Sequence, residues 1–354
     1  MQDMSNNAVI VRKLMQSSEG YPKVGENIDF VRRPYDASQL QLSDNFPVLA
    51  KVLYISVDPF LKLRLIENLD ADEEVTKPFE EGKPLSCYAV VTVIDSLSEK
   101  WKKGDRLFSF ANWEEYTLLS TQTLESSCLI TDKDDSMLKD YLGVLGMAGH
   151  TAYIGLKHVG HPKANETVLV SSACGAVGMM AGQLAKSFGC YVVGSAGSDE
   201  KVEFLKNELH FDDAFNYKKE NYSDALKRTC PKGIDVYFDN VGGELLDTVF
   251  LHANLYARII YCGALSQYCA KEPYGLKNTM QMITKCIRFE GFSYYYYYSL
   301  YWDECCSTIK KLLSEQKLHF KLDMKVGLEQ TPEAFTSMLQ GKNFGKVIVQ
   351  VAQD

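Results

Sequence analysis

From Val168 to Gly263 the chain alternates short apolar runs with helical stretches, and this rhythm constrains its fold more than any other feature. Val168 to Val170 precedes a helix over Met179 to Phe188. Tyr191 to Gly194 precedes Asp199 to Leu209, Ala214 to Tyr217 precedes Tyr222 to Thr229, and Asp235 to Asp239 precedes Glu244 to His252. Ala257 to Tyr261 then ends in Cys262-Gly263. Such alternation predicts an α/β domain, a doubly wound parallel sheet with helices on both faces. The preceding stretch, Asn7 to about Leu129, has a different pattern. Short β runs (Phe46 to Ile55, Ala89 to Ile94, Arg106 to Phe110, Trp113 to Leu119) are split by turns such as Lys102-Lys103-Gly104-Asp105 and Val57-Asp58-Pro59, which predicts a barrel-like β domain. Leu138 to Leu156 is helical in period, a further helix is expected over Tyr301 to Glu315, and a last β stretch over Gly345 to Val351. Two domains also suit a chain of 354 residues.

The first strand of the alternating region runs into Ser-Ser-Ala173-Cys174-Gly175-Ala176-Val177-Gly178 and then a helix. Small residues in a strand–turn–helix let the backbone approach a pyrophosphate, whose charge meets free N–H groups at the helix N-terminus. A packing turn would read the same, so the downstream strings matter. About twenty residues on, where an NAD site places an acid against the ribose 2′-hydroxyl, stands Ala196-Gly197-Ser198, with Lys201 one turn into the next helix. Absence of the acid and presence of the lysine favour NADP, although a solvated helix lysine would look alike. Asp199 and Glu200 at that helix start suit its dipole. A third string, Asp235 to Gly243, ends an apolar strand in Asn240 and two glycines. A fourth, Cys262 to Tyr268, follows another strand and supplies a phenol. Both fall where a parallel sheet presents its carboxyl ends to a ligand.

Composition narrows the partners. The 38 basic and 46 acidic residues leave −8, which argues against nucleic acid or an anionic membrane. No run approaches a membrane span, and Met1 to Arg12 lacks the features of a signal peptide, so a cytoplasmic location is expected. The ten cysteines are scattered, with only Cys305 and Cys306 adjacent, and read as free thiols. No C-x-x-C, H-x-x-x-H or H-E-x-x-H spacing occurs, so no metal is expected.

Taken together, these strings resemble the zinc-independent medium-chain dehydrogenase/reductases, and among them the prostaglandin reductases (15-oxoprostaglandin 13-reductases, also leukotriene-B4 12-hydroxydehydrogenases). The resemblance rests on Val57-Asp58-Pro59, Gly146 to Tyr153, the glycine turn, Gly197 to Val202, Phe215 to Lys218, Tyr237 to Gly243 and Gly341 to Lys346. Ser266-Gln267-Tyr268 with Pro273-Tyr274 is most similar to the prostaglandin reductase 2 branch.

The resemblance implies a GroES-like domain over 1–130, a Rossmann NADP-binding domain over 131–311, and a segment 312–354 completing the first. It implies NADPH-dependent reduction of the carbon–carbon double bond of α,β-unsaturated ketones such as 15-oxoprostaglandins and related lipid enones and enals. Carried over by position, Gly175, Ala176, Val177 and Gly178 hold the pyrophosphate, and Lys201 and Tyr217 meet the 2′-phosphate. Asn240, Cys262, Gly263, Ala264, Leu265, Ser266, Tyr268, Phe292, Ser293, Tyr294 and Asn343 line the rest of the cofactor. Phe60, Tyr268 and Tyr294 border the substrate, and Tyr268 is the catalytic residue that bonds its carbonyl. A homodimer is frequent in the family.

The role of Tyr268 also makes physical sense alone. Hydride added to the β-carbon of an enone pushes charge onto the carbonyl oxygen, where a donor stabilises the enolate. A tyrosine that only packs would occupy the same position. Three departures bear on substrate: Phe60 stands where the family has a tyrosine, Ala148 replaces a proline, and Cys87 replaces a glycine found in many relatives. Tyr294 to Tyr298 is expected as a strand with alternating faces, part of it a pocket wall. A quinone reductase, a nucleotide-binding protein without turnover and the reverse oxidation of a hydroxyl remain alternatives at this point, and the final proton comes from water or the cofactor ribose.

Overall fold

The computed structural model describes residues 5–67, 77–132 and 134–353. Positions 1–4 of the N-terminal stretch considered above therefore lie outside the described residues. The chain forms two compact units, one of residues 1–142 with 322–354 and the other of 143–321.

In the first unit β1 (Ala8–Val11) pairs antiparallel with β2 (Ile28–Val31). The main sheet follows: β3 (Val48–Ser56), the short helix α1 (Leu61–Arg64), β4 (Ser86–Ser96), β5 (Arg106–Asn112), β6 (Tyr116–Leu119), helix α2 (Thr121–Glu125) and β7 (Cys128–Leu129). β3, β4 and β5 are the long antiparallel centre, rich in Val, Ile, Phe and Tyr as strands that bury apolar side chains require. Their core includes Val52, Ile55, Leu61 and Trp113, and the Trp113 indole meets the Phe335 ring edge-on at 6.0 Å.

The helical period of Leu138 to Leu156 is realised in three pieces. A 3₁₀ stretch covers Asp135–Leu142, α3 covers Met147–Ile154, and a wide π-type turn covers Gly155–Gly160. Gly143 and Gly146 interrupt the helix, since each interior glycine costs about 1 kcal/mol relative to alanine.

The second unit then runs β8 (Thr167–Val170), α4 (Ala176–Ser187), β9 (Tyr191–Ala196), α5 (Asp199–Asn207), β10 (Asp213–Asn216), α6 (Tyr222–Thr229), β11 (Ile234–Asp239), α7 (Gly243–His252), β12 (Ala253–Tyr261), α8 (Leu265–Tyr268), α9 (Met280–Thr284), β13 (Arg288–Gly291) and α10 (Tyr294–Ser314). The sheet order is β10-β9-β8-β11-β12-β13, and every pairing is parallel. The order reverses between β8 and β11, and in such sheets ligands bind at the carboxyl ends beside that switch point. β8 is fully buried, which is why it reads as a continuous Thr-Val-Leu-Val run rather than alternating.

The five tyrosines depart from expectation. They open α10, a 21-residue helix, rather than forming a strand. Helical spacing pairs them at i and i+4, with Tyr294 stacked on Tyr298 at 5.3 Å, and Tyr297 lies over His158 at 4.4 Å. Packing of that face onto the helical segment Met147–Gly160 overrides the strand preference of tyrosine. Tyr295 and Tyr296 face outward, 39% and 51% exposed.

α10 is continuous across position 311/312, and the chain re-enters the first unit at Leu322. There β14 (Leu322–Val326), α11 (Thr331–Leu339) and β15 (Lys346–Gln350) follow, and β15 pairs antiparallel with β3. This gives the seven-stranded order β14-β15-β3-β4-β5-β7, with β6 beside β3. The architecture is a Rossmann-like parallel-sheet domain with a separate GroES-like β domain.

Candidate active site

The carboxyl ends of β8, β11 and β12 are tied together by one buried residue, Asp239. Its Oδ1 accepts from the Tyr237 hydroxyl (2.7 Å), the Ser171 hydroxyl (3.2 Å) and the backbone N–H groups of Val241 (2.9 Å) and Gly242 (2.8 Å). Its backbone carbonyl takes the N–H groups of Cys262 and Gly263. Burial raises the Asp239 pKa, and the Gly242 N–H and Tyr237 hydroxyl pull the other way. Asn240 adds a second tie: its Nδ2 donates to the Ser171 carbonyl at 2.7 Å, and its N–H to the Ser171 hydroxyl at 2.8 Å.

The glycine turn sits on this platform. Ala173 N–H donates to the Ser195 carbonyl at 3.0 Å and Gly175 N–H to the Ser172 carbonyl at 2.8 Å. A Cβ at Gly178 would lie 2.3 Å from the Ser172 carbonyl oxygen, so only glycine lets α4 start so close to the turn. Gly175 is the residue before the first helical turn and Ala176, Val177 and Gly178 form that turn. The N–H groups of Ala176, Val177 and Gly178 are among those an α-helix cannot satisfy itself, which is what an anionic pyrophosphate needs.

Beside it, at the end of β9, Ser198 caps α5 by accepting the Lys201 N–H at 3.3 Å. The Tyr217 hydroxyl would stand 2.9 Å from a Cβ on Gly197, so the phenol of the residue after β10 reaches across to the β9–α5 turn. Lys201 and Tyr217, distant in sequence, therefore flank one turn.

The loop after β12 is pinned to the turn after β11. Leu265 N–H donates to the Asn240 carbonyl, Ser266 N–H and hydroxyl both donate to the Val241 carbonyl, and Gln267 Nε2 donates to the Ser266 hydroxyl. Gln267 Oε1 accepts the Tyr274 N–H at 2.7 Å, which joins the Ser-Gln-Tyr and Pro-Tyr strings. Tyr268 ends α8, and its hydroxyl folds back over the loop, accepting from Ala264 N–H at 3.4 Å. Burial pushes the Tyr268 pKa up to about 12, with the Ala264 N–H opposing. The phenol thus keeps its proton at neutral pH and has it to donate. Cys262, at the head of this loop, is a thiol whose pKa burial also raises.

Phe292, Ser293 and Tyr294 follow β13. The Phe292 ring would lie 3.0 Å from a Cβ on Gly155. The Tyr294 ring stands edge-on to the buried His150 at 6.1 Å, and burial lowers the His150 pKa. Ala148 lies in α3, beside His150. Phe60 and Asn343 belong to the first unit. Phe60 precedes α1 and packs on the β core; Asn343 Nδ2 donates to the Gly345 carbonyl at 2.8 Å. Cys87 is buried there too, 3.5 Å from Asp58.

Sequence reasoning missed Asp239 as the hub, because hydrogen bonds among strand ends depend on sheet order. It also missed Asn216 and Lys219, which hold Asp199 in the first turn of α5. All ten cysteines are free thiols. Among the described residues no three His, Cys, Asp or Glu side chains converge as metal ligands would, and no helix is long and apolar enough to cross a membrane.

A glycine-lined turn at the switch point of a parallel sheet, with a second β unit, defines the class: a two-unit dehydrogenase/reductase of the Rossmann type. Residues 34–127 match the family model described as N-terminal domain of oxidoreductase, and 176–311 the one described as zinc-binding dehydrogenase. The chain is 45% identical to a zinc-type alcohol dehydrogenase-like protein of Schizosaccharomyces pombe, over 99% of this chain and 100% of that one. It is 41% identical to the NADP(+)-dependent 2-alkenal reductase of Nicotiana tabacum (100% and 99% covered) and 36% identical to prostaglandin reductase 1 of Rattus norvegicus (88% and 92%). The crystal structure of CurA with NADPH from Vibrio vulnificus superimposes with a TM-score of 0.88, at 32% identity over 98% of this chain and 100% of that one. The chain belongs to the medium-chain dehydrogenase/reductase family.

Proposed function

We propose that this protein reduces the carbon–carbon double bond of α,β-unsaturated ketones and aldehydes with NADPH, acting on 15-oxoprostaglandins or related lipid enones and enals. The observation that carries the reading is Tyr268, a half-buried phenol that retains its proton and stands at the carboxyl end of the parallel sheet. The relatives named above, a 2-alkenal reductase and a prostaglandin reductase, support the reaction type. Ser266-Gln267-Tyr268 with Pro273-Tyr274 supports a place in the prostaglandin reductase 2 branch.

The residues fit a dinucleotide. Gly178 leaves room where any side chain would meet the Ser172 carbonyl, and Lys201 and Tyr217 flank the turn where a 2′-phosphate would lie. NADPH, when bound, supplies the hydride that reaches the substrate β-carbon. Tyr268 donates to the substrate carbonyl and stabilises the negative charge that grows there. One such donor is worth roughly 3 kcal/mol, on the order of a hundredfold in rate. The chemistry asks for no metal. The reading also takes Asn343 as a cofactor residue and Phe60 as a substrate-side residue, as the family resemblance implies. The same reading carries a cytoplasmic homodimer without nucleic-acid or membrane partners.

The test follows NADPH oxidation with 15-oxo-prostaglandin E2, beside NADH, a simple quinone and the Tyr268→Phe variant. Turnover of the enone with NADPH, falling at least tenfold in the variant, is expected. A chain that leaves the enone untouched while reducing the quinone is a quinone reductase. One that binds NADPH without turnover is a binding protein.

A further inference from the structure

In the first turn of α5 stands a carboxylate, Asp199, next to the turn read above as the 2′-phosphate site. An acid in this neighbourhood repels a phosphate and favours a ribose hydroxyl. The structure shows what this carboxylate does instead. Asp199 Oδ1 accepts from Asn216 Nδ2 at 2.8 Å, and Oδ2 is paired with the Lys219 ammonium. The Lys219 ammonium, and then the Asn216 amide, hold its carboxyl below the usual carboxylate range. Asn216 is itself buried at the end of β10, and its Oδ1 accepts the Lys218 N–H at 3.1 Å. Its side chain is thereby fixed at both ends, and Tyr217, between Asn216 and Lys218, sends its hydroxyl to Gly197.

We infer that Asn216 and Lys219 are specificity-determining residues: they neutralise and restrain Asp199 so that the β9–α5 turn takes a 2′-phosphorylated adenosine. This rests on the NADPH reading above and adds the device by which a chain with an acid in the helix next to this turn selects that cofactor. Lys201 and Tyr217 flank the phosphate position, while Lys219 acts through Asp199. Loss of Lys219 leaves the Asp199 carboxylate without its paired ammonium beside the turn.

Calorimetric binding of 2′,5′-ADP and 5′-AMP tests the device without turnover, on the full chain, with circular dichroism and thermal melting confirming that each variant folds. The wild type is expected to bind 2′,5′-ADP at least tenfold tighter than 5′-AMP. If it does not, the NADPH reading falls before any substitution is made, and this inference with it. Given that preference, Lys219→Met is expected to weaken 2′,5′-ADP at least fivefold and to leave 5′-AMP within twofold. Adding Asp199→Asn to Lys219→Met is expected to restore most of the loss. Asn216→Ala is expected to weaken 2′,5′-ADP in the same direction. If Lys219→Met binds 2′,5′-ADP as the wild type does, the inference is overturned. It is overturned equally if the double variant stays as weak as Lys219→Met, because Lys219 would then touch the phosphate itself.

Discussion

At the residue scale, the role proposed for Tyr268 rests on the setting of its hydroxyl. Its hydroxyl accepts a backbone N–H within its own loop, and burial keeps its proton on. Since the pKa is raised to about 12, the protonated donor persists through neutral pH and is lost only as pH approaches that value. A pH–rate profile for kcat is therefore expected to show no basic limb from Tyr268 between pH 7 and about 10. Tyr268→Phe keeps the ring proposed to line the cofactor and is expected to lower kcat about a hundredfold, about 3 kcal/mol, with a far smaller change in NADPH affinity by calorimetry. That a phenol follows a strand here was legible in the sequence, whereas the role proposed for it came from the family resemblance. Asp239 was not legible, since a strand aspartate gives no sign that six donors from three strand ends converge on it. Nor were Asn216 and Lys219, whose partner lies one strand away across a pairing that only the folded sheet reveals.

Among the elements, α4 was the easiest to anticipate and α10 the hardest. The strand–turn–helix of β8 and α4 is written in its glycines, and the space at Gly178 explains one of them. Gly178→Ala is expected to force the helix from the turn, costing about 1–3 kcal/mol in denaturant unfolding and weakening NADPH at least tenfold by calorimetry. For α10 the sequence misleads locally, because tyrosine favours strands and a run of five carries no apolar–polar period. Only the partners on Met147–Gly160 decide the conformation, through His150 stacked on Trp302 at 4.3 Å and the His158 ring under Tyr297. The alternation that predicts the parallel sheet is robust for the opposite reason: each strand and helix there carries its own local period.

For the molecule as a whole, the telling feature is that the first unit is built from both ends of the chain. Lys346 on β15 is buried against Asp58, just beyond β3, with side-chain exposures of 2% and 3%. The same ammonium donates to the Val57 carbonyl at 3.0 Å, and the Asp58 carboxylate also bonds the Ser56 hydroxyl. Removing one partner strands the other charge, so Lys346→Met is expected to lower the unfolding free energy by about 3–5 kcal/mol in a denaturant titration. Replacing Asp58 by Leu in that background is expected to return part of the loss. The arrangement also has a schedule. The Rossmann-like unit is contiguous and holds all its strands once residue 321 has been made, whereas β3 waits for β15, almost three hundred residues later in synthesis. During that interval β6 covers Val48 to Lys51, but the end of β3 from Tyr54 to Ser56 lacks its β15 partner, so the nascent chain carries a short open strand edge that the finished protein closes.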